Sequence, residues 1–311
     1  MQLLIFWGSY LWFPFALGCL YVAIHQRQWP RQVALLALVL TLPLAWARFV
    51  EPQILLTQTT KIDLSAGAAE TRTLRIALFA DTQYGLFSNV IKIDRIVDRI
   101  LSEKVDAVFM AGDWLMESPL EDIPHHLAGL ERLRAAGLPI YGVLGNHDIY
   151  INQPKFSQTL YAALRRAGVI LAENRAYETE LAGLPILIAG ASDLLYTRQD
   201  FAFRADLPDS LPLILLTHNP DTAFNVPDSF SYDLMLAGHT HGGQINLFWP
   251  ALMQRFIPTR YPFNEGLHSV PGQGPVFVTA GIGQTGLPMR FLRPPRIDLL
   301  ELTLAAPTAP N

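Results

Sequence analysis

Carboxylate, carboxamide and imidazole residues recur in this chain directly after short apolar runs. Leu-Phe-Ala leads into Asp81-Thr82-Gln83, Phe-Met-Ala into Gly112-Asp113, and Gly-Val-Leu into Gly145-Asn146-His147-Asp148. Leu-Leu-Thr leads into His218-Asn219-Pro220, and Met-Leu-Ala into Gly238-His239-Thr240-His241-Gly242-Gly243-Gln244. This mixture suits a pair of divalent ions. Two metals about 3.5–4 Å apart can clamp a phosphoryl group and activate a water between them. One carboxylate can bridge both ions, while imidazoles and a carboxamide fill outer positions without adding charge. With Asp81 and Asp113 as the only anions, the site keeps a net positive charge even with a bridging hydroxide, and so attracts a phosphate ester. Each fragment alone has a plainer reading as a turn, a helix cap or a satisfied core histidine. His239 and His241 are stronger, because alternate residues of an extended segment share a face. Five fragments in one order point to one cleft. His25, His125, His126 and His268 lack such a setting and are read as structural.

The elements that must position these groups follow from hydrophobic patterning. Strands are predicted at Leu74–Ala80, Ala107–Ala111, Pro139–Leu144, Leu184–Ala189, Leu211–Leu216, Leu234–Ala237, Val276–Thr279 and Ile297–Leu302. Val90, Ile91, Ile93, Ile96, Val97, Ile100 and Leu101 recur at helical spacing, as do residues of Phe156–Ala167. Strands this apolar are covered on both faces, which predicts a layered α/β domain. Ligands of open α/β sheets gather beyond the carboxyl ends of the strands, where all five fragments fall. The domain is expected over residues 73–302, after a linker at 51–72 that includes the domain's first edge. A frayed Pro/Ala-rich tail is expected at 303–311.

The chain has 311 residues, half of them hydrophobic and only 16% charged, against roughly 25% in a typical soluble domain. The excess apolar weight lies at the N-terminus. Residues 3–24 carry no charge, and a second apolar run follows from Val33 to Ala47. Neither shows a polar stripe, so they are read as a transmembrane helical hairpin over residues 1–50. The alternative is a cleavable signal ending at Ala45-Trp46-Ala47. Arg27 and Arg31 lie in the hairpin loop, and basic loops tend to stay cytoplasmic. The protein is therefore expected in the cell membrane as a multi-pass protein, with the catalytic domain periplasmic. Of 23 basic and 27 acidic residues, Arg27, Arg31, Arg48 and Glu51 precede residue 55, which leaves 20 and 26 beyond it. Nucleic-acid backbones demand a cationic face, so no nucleic-acid partner is expected.

The five fragments together resemble the calcineurin-like metallophosphoesterase superfamily, whose pattern is D-x-H, G-D-x-x-D, G-N-H-D/E, H, then G-H-x-H. The match covers roughly residues 73–302. GHTHGGQ and TAGIGQTGLPMRFLRPP resemble the bacterial membrane-associated branch of YkuE- and YaeI-like phosphodiesterases. The resemblance implies a four-layer α/β/β/α sandwich and two divalent cations, Mn2+ favoured, with Zn2+, Fe or Mg2+ as alternatives. It implies that Asp81, Gln83 and His241 hold the first metal, that Asp113 bridges, and that Asn146, His218 and His239 hold the second. His147 would serve the leaving oxygen, with Asp148 orienting it. Gln83 stands where the commonest pattern has His, and Met116 replaces the second acidic residue of G-D-x-x-D. The substrate implied is a phosphate ester, a phosphodiester or pyrophosphate that is envelope-derived or lipid-linked. Hydrolysis of small phosphomonoesters and a non-catalytic metal-binding scaffold are the alternatives. On the substrate side, Phe248, Trp249, Leu252, Met253, Phe256, Ile257 and Tyr261 could form an apolar rim or cap the core. Arg290, Arg293 and Arg296 could meet a phosphate, although arginines are more often solvated.

Overall fold

The computed structural model describes residues 2–85, 87, 91–149, 152–246, 259–260 and 262–306. The apolar rim residues at 248, 249, 252, 253, 256, 257 and 261, and Val90 of the expected helix, lie outside the described residues.

The chain begins with helices α1 (Gln2–Gly8), α2 (Trp12–His25) and α3 (Trp29–Ala45). The helical runs Gln2–His25 and Trp29–Gln53 span 24 and 25 residues, with mean hydropathy 1.7 and 2.1. By length and composition both can cross a membrane. Little of their apolar surface is covered, as 11% and 22% of their most apolar windows are buried. A core helix would bury most of it. α2 and α3 pack side by side, joined by a hydrogen bond from Trp12 Nε1 to Thr41 Oγ1 at 3.1 Å. Past Pro43, α3 loosens into a π-helical turn at Trp46–Val50.

Beyond the hairpin, the strands in chain order are β1 (Leu56–Asp63), β2 (Thr71–Phe79), β3 (Tyr84–Gly85), β4 (Ala107–Ala111), β5 (Leu115–Met116), β6 (Ile140–Val143) and β7 (Val169–Leu171). They continue with β8 (Arg175–Leu181), β9 (Leu184–Gly190), β10 (Leu213–Leu216), β11 (Leu234–Ala237), β12 (Gly266–Ser269), β13 (Pro275–Val278) and β14 (Arg296–Ala305). Four helices interrupt the first half: α4 (Ile93–Leu101), α5 (Ile123–Leu127), α6 (Glu131–Ala135) and α7 (Pro154–Arg166).

Two six-stranded sheets result, ordered β1-β14-β2-β4-β6-β7 and β12-β13-β11-β10-β9-β8. β2, β4, β6 and β7 run parallel, as do β9, β10, β11 and β13. Strict alternation stacks the layers. Ile76 and Leu78 of β2, Phe109 of β4, Ile186 and Ile188 of β9, and Ile214 of β10 share the core between the sheets. Ala77 and Phe79, one residue out of phase, pack outward with Ile96 and Ile100 of α4 and Leu160 of α7. On the far face of the second sheet, Leu187, Leu215 and Met235 meet Phe201, Val226 and Phe230. Three apolar layers separate four structural ones, as the α/β/β/α expectation requires.

Residues 56–63, within the segment read as a linker that includes the domain's first edge, form β1, an edge strand paired with β14 along eight positions. One boundary differs from the sequence reading. The expected tail starts later, because β14 continues to Ala305. Residues 307–311 lie outside the described residues.

Candidate metal centre

The parallel strands bring their carboxyl ends to one edge of the sandwich. Asp81 and Gln83 follow β2, Asp113 follows β4, and Asn146 and His147 follow β6. His218 follows β10, and His239 and His241 follow β11. Loop-to-loop hydrogen bonds fix these segments against each other: Asp81 N donates to Gly112 O, Gln83 N to Asp113 O, and Gly238 N to His218 O. Five of the residues, Asp81, Gln83, Asp113, His239 and His241, have φ between 45° and 71°. Left-handed backbone is costly for residues with a side chain, and such positions cluster where function imposes them. Two glycines make room. A side chain at Gly145 would collide with the Asp113 carboxylate, and one at Gly281, itself at φ 68°, would come within 2.7 Å of Asp81 Oδ2.

All seven expected metal residues meet here, in two groups sharing Asp113. In the first, the Asp81, Asp113 and His241 donor atoms lie within 4.8 Å of one another. Gln83 Nε2 is 3.0 Å from Asp113 Oδ2 and 3.2 Å from His241 Nε2. In the second, His218 Nε2 is 3.1 Å from Asn146 Oδ1, 3.2 Å from His239 Nδ1 and 3.4 Å from Asp113 Oδ2. Donors about 2.1 Å from one cation are roughly 3.0–3.4 Å apart in octahedral or tetrahedral geometry, which is the spacing around His218; in the first group His241 Nε2 and Asp81 Oδ1 are 3.6 Å apart.

The donor chemistry fits a cation as well. His218 Nδ1 faces the Ala111 carbonyl at 2.8 Å, so it carries the hydrogen and donates it. Nε2 of the neutral ring then presents a lone pair to other lone pairs, which only a proton or a cation can reconcile. Burial lowers the His218 pKa, but the Asp113 carboxylate outweighs it and raises the pKa to about 10. That shift records the site's demand for positive charge. For Asp113, burial favours the neutral form, yet His218 more than offsets it and depresses the carboxyl. Asp81, pushed up by burial, rises to about 7. Burial drives His239 down to about 3, and His241 well below its ordinary value, so both rings are neutral and able to donate lone pairs. Gln83 Oε1 and His241 Nδ1 are buried and have no partner among the described residues. A half-turn of the Gln83 carboxamide exchanges its oxygen for its nitrogen and would turn that unpartnered oxygen into the cluster.

His147 is half-buried at the rim, within electrostatic reach of Asp113, His239 and His241. Its backbone N–H donates to Asp113 Oδ1 at 2.8 Å. Asp148, expected to orient His147, meets main-chain donors. Its buried carboxylate accepts from the backbone N–H groups of Trp114, Leu115 and Gly145 at 2.9–3.1 Å. It therefore ties the Asp113 loop to the Gly145–His147 turn, and orients His147 through the backbone rather than through the ring. Burial and the Asp113 charge push its pKa up, against the three donors.

The arginines are corrected too. Arg290 is fully buried and meets no phosphate. Its guanidinium donates to the carbonyls of Gly283, Ala280 and Arg293, with a longer contact to His241 O. Arg293 donates to Gly242 O and pairs with Glu265, while Arg296 pairs with Glu265 and Asp298. Asp193, buried just beyond β9, was missed. It lies close enough to His218 for the imidazole to affect its titration. Its signal was the one used elsewhere, an acidic residue at a strand end.

A profile of the calcineurin-like phosphoesterase family matches residues 74–243. The chain is 31% identical to the metallophosphoesterase YkuE of Bacillus subtilis over 83% of this chain and 88% of that protein. It is 27% identical to the phosphodiesterase YaeI of Escherichia coli over 73% and 82%. It is 29% identical to a transmembrane protein with metallophosphoesterase domain from Danio rerio, over 70% of this chain and 50% of that protein.

Proposed function

Because the chain belongs to the calcineurin-like phosphoesterase family, we propose that it hydrolyses a phosphodiester or pyrophosphate bond of an envelope or lipid-linked substrate. The observation that carries this reading is the convergence of donor atoms at 3.1–3.4 Å on His218 Nε2, beside the Asp81, Asp113 and His241 donor atoms within 4.8 Å of one another, with Asp113 common to both groups. The phosphodiesterase name of the YaeI relative favours a diester over a monoester.

Asp81, Gln83, Asp113 and His241 would hold one divalent cation, and Asp113, Asn146, His218 and His239 the other. Two such ions, when bound, neutralise phosphoryl oxygens and lower the pKa of a water that attacks phosphorus. The oxygen-rich first group, with a carboxamide in place of an imidazole, favours Mn2+ over Zn2+. Asp148 and the Gly145 amide hold the turn that carries Asn146 and His147, so both side chains face one opening. His147 lies outside the donor groups and keeps its imidazole for the departing oxygen, to which it gives a proton. General-acid help of this kind contributes about 10²–10⁴-fold. The two apolar helices would anchor the enzyme as a multi-pass protein, with the cluster on the periplasmic side. Purified full chain with added Mn2+ should hydrolyse bis(p-nitrophenyl) phosphate faster than p-nitrophenyl phosphate and lose activity in excess chelator. Full activity in chelator refutes the metal assignment, and a preference for the monoester refutes the diester assignment.

A further inference from the structure

The end of the hairpin is bonded to the loop that backs the first donor group. The π-helical turn after α3 leads to Glu51, and Ala47 within the turn and Glu51 after it are both buried. Arg290 N donates to Ala47 O at 2.9 Å, and Arg293 N to Glu51 Oε1 at 2.6 Å. The other Glu51 oxygen accepts from Trp46 Nε1 at 3.0 Å. Between Ala47 and Glu51, the Arg48 guanidinium lies over the Phe6, Tyr10 and Phe49 rings, 4.5–5.4 Å from their centroids, and donates to Ser9 Oγ at 2.9 Å. Such cation–ring contacts bind α1 to the turn and make the turn a fixed platform.

From this platform two arginines reach the first group. Arg290 Nε donates to Gly283 O at 2.8 Å and Nη2 to Ala280 O at 3.1 Å. The strip they hold lies along Asp81. Ile282 N donates to Ala80 O and Gly283 N to Asp81 O, and Gly281 packs against the Asp81 carboxylate. Arg293 Nε donates to Gly242 O at 3.1 Å, and Arg290 Nη1 lies 3.5 Å from His241 O, which fixes the turn that carries His241. Asp81 and His241 belong to the first group. Among the described residues, neither arginine bonds to Asn146, His218 or His239 of the second. A buried charge is costly unless it is answered. Arg290 is answered by main-chain carbonyls, with Asp81 and Glu51 both within electrostatic reach.

We propose that Arg290 and Arg293 are positioning residues for the first metal, and that their placement depends on the docked hairpin through Ala47 and Glu51. The N-terminal helices thereby govern whether one of the two ions is held, besides anchoring the chain. The inference rests on the two-metal reading above and adds a dependence of one half of the site on the hairpin.

The test is Mn2+ binding by full chain in detergent, stripped of metal and titrated with Mn2+, with the free ion read from its electron paramagnetic resonance. The native protein should take up two ions. Asn146→Ala touches the second group only, so the affinity it leaves unchanged belongs to the first. Glu51→Ala deprives the Arg293 N–H of its acceptor. It should weaken the first site about tenfold, the usual effect of one lost hydrogen bond, and leave the second as it was. Glu51→Gln keeps an oxygen for that N–H and should restore most of the loss. Arg290→Lys keeps the charge but not the fork that spans several carbonyls, and should weaken the first site at least as much. If Arg290→Lys fails to fold, the two Glu51 variants decide. A merely structural role weakens both sites together or neither. Either result in Glu51→Ala, or a loss confined to the second site, overturns the inference. Uptake of fewer than two ions by the native protein would instead overturn the two-metal reading, and this inference with it.

Discussion

Replacing Asp148 with asparagine separates a residue that shapes the site from one that acts in the reaction. The carboxylate accepts three backbone N–H bonds, two at Oδ2 from Trp114 and Gly145 and one at Oδ1 from Leu115. Asparagine keeps one oxygen. Set at the Oδ2 position it retains two bonds, now neutral rather than charge-assisted, and turns an NH2 toward the Leu115 N–H. An orphaned buried donor costs about 1–3 kcal/mol, and weakening two ionic bonds about 1 kcal/mol more. Relief of a buried carboxylate near Asp113 offsets part of this. A net loss of about 2 kcal/mol follows, which in a domain of this size lowers the thermal midpoint by roughly 4–8 °C. Because the tethered turn carries Asn146 and the amide bonded to Asp113, bound metal should fall in parallel. Thermal melts and metal content are compared for native and Asp148→Asn proteins in the same detergent. An unchanged midpoint and full metal content, with turnover down about 100-fold, would refute the reasoning and make Asp148 a direct partner of the His147 ring.

Other expectations are as sharp. His147→Ala should retain its metal yet lose turnover by about 10²–10⁴-fold, whereas Asp113→Ala should lose metal as well. Elemental analysis beside rate measurement decides, and equal metal loss in both variants would sink the division of roles. Gln83→His places a residue tolerant of left-handed backbone at φ 45° and supplies an imidazole donor. Its activity should need less added metal and should shift preference from Mn2+ toward Zn2+. Identical titration midpoints and metal rankings would return Gln83 to a structural role. A reporter that works only in the periplasm, fused after Asn311, should be active, because basic loops such as the one carrying Arg27 and Arg31 tend to stay inside. Signal from a cytoplasmic reporter alone reverses the orientation.

The sequence was most legible where strands are central. β2, β4, β6, β9, β10, β11, β13 and β14 are apolar on both faces, and each was expected close to its observed span. In the two six-stranded sheets, the strands not listed in advance, β1, β7, β8 and β12, are the four edges. An edge strand has one neighbour and a wetter surface, so LTQTTKID and RAYETEL carry too few apolar residues to announce themselves. The residues of the candidate cluster were legible for a related reason: polar groups at the end of an apolar strand have no packing explanation. Arg290 was misread, and the backbone partners of Asp148 were not foreseen, because main-chain partners leave no mark in a sequence.

β14 lies between β1 and β2, although more than two hundred residues separate its first residue, Arg296, from the end of β2. During synthesis at about 5–20 residues per second, the flank of β2 that β14 will cover stays bare for roughly 10–40 s. Throughout that interval the emerging polypeptide offers an open strand edge. Chaperone demand, and sensitivity to ribosomes that stall late in the message, are thus set by the position of one strand.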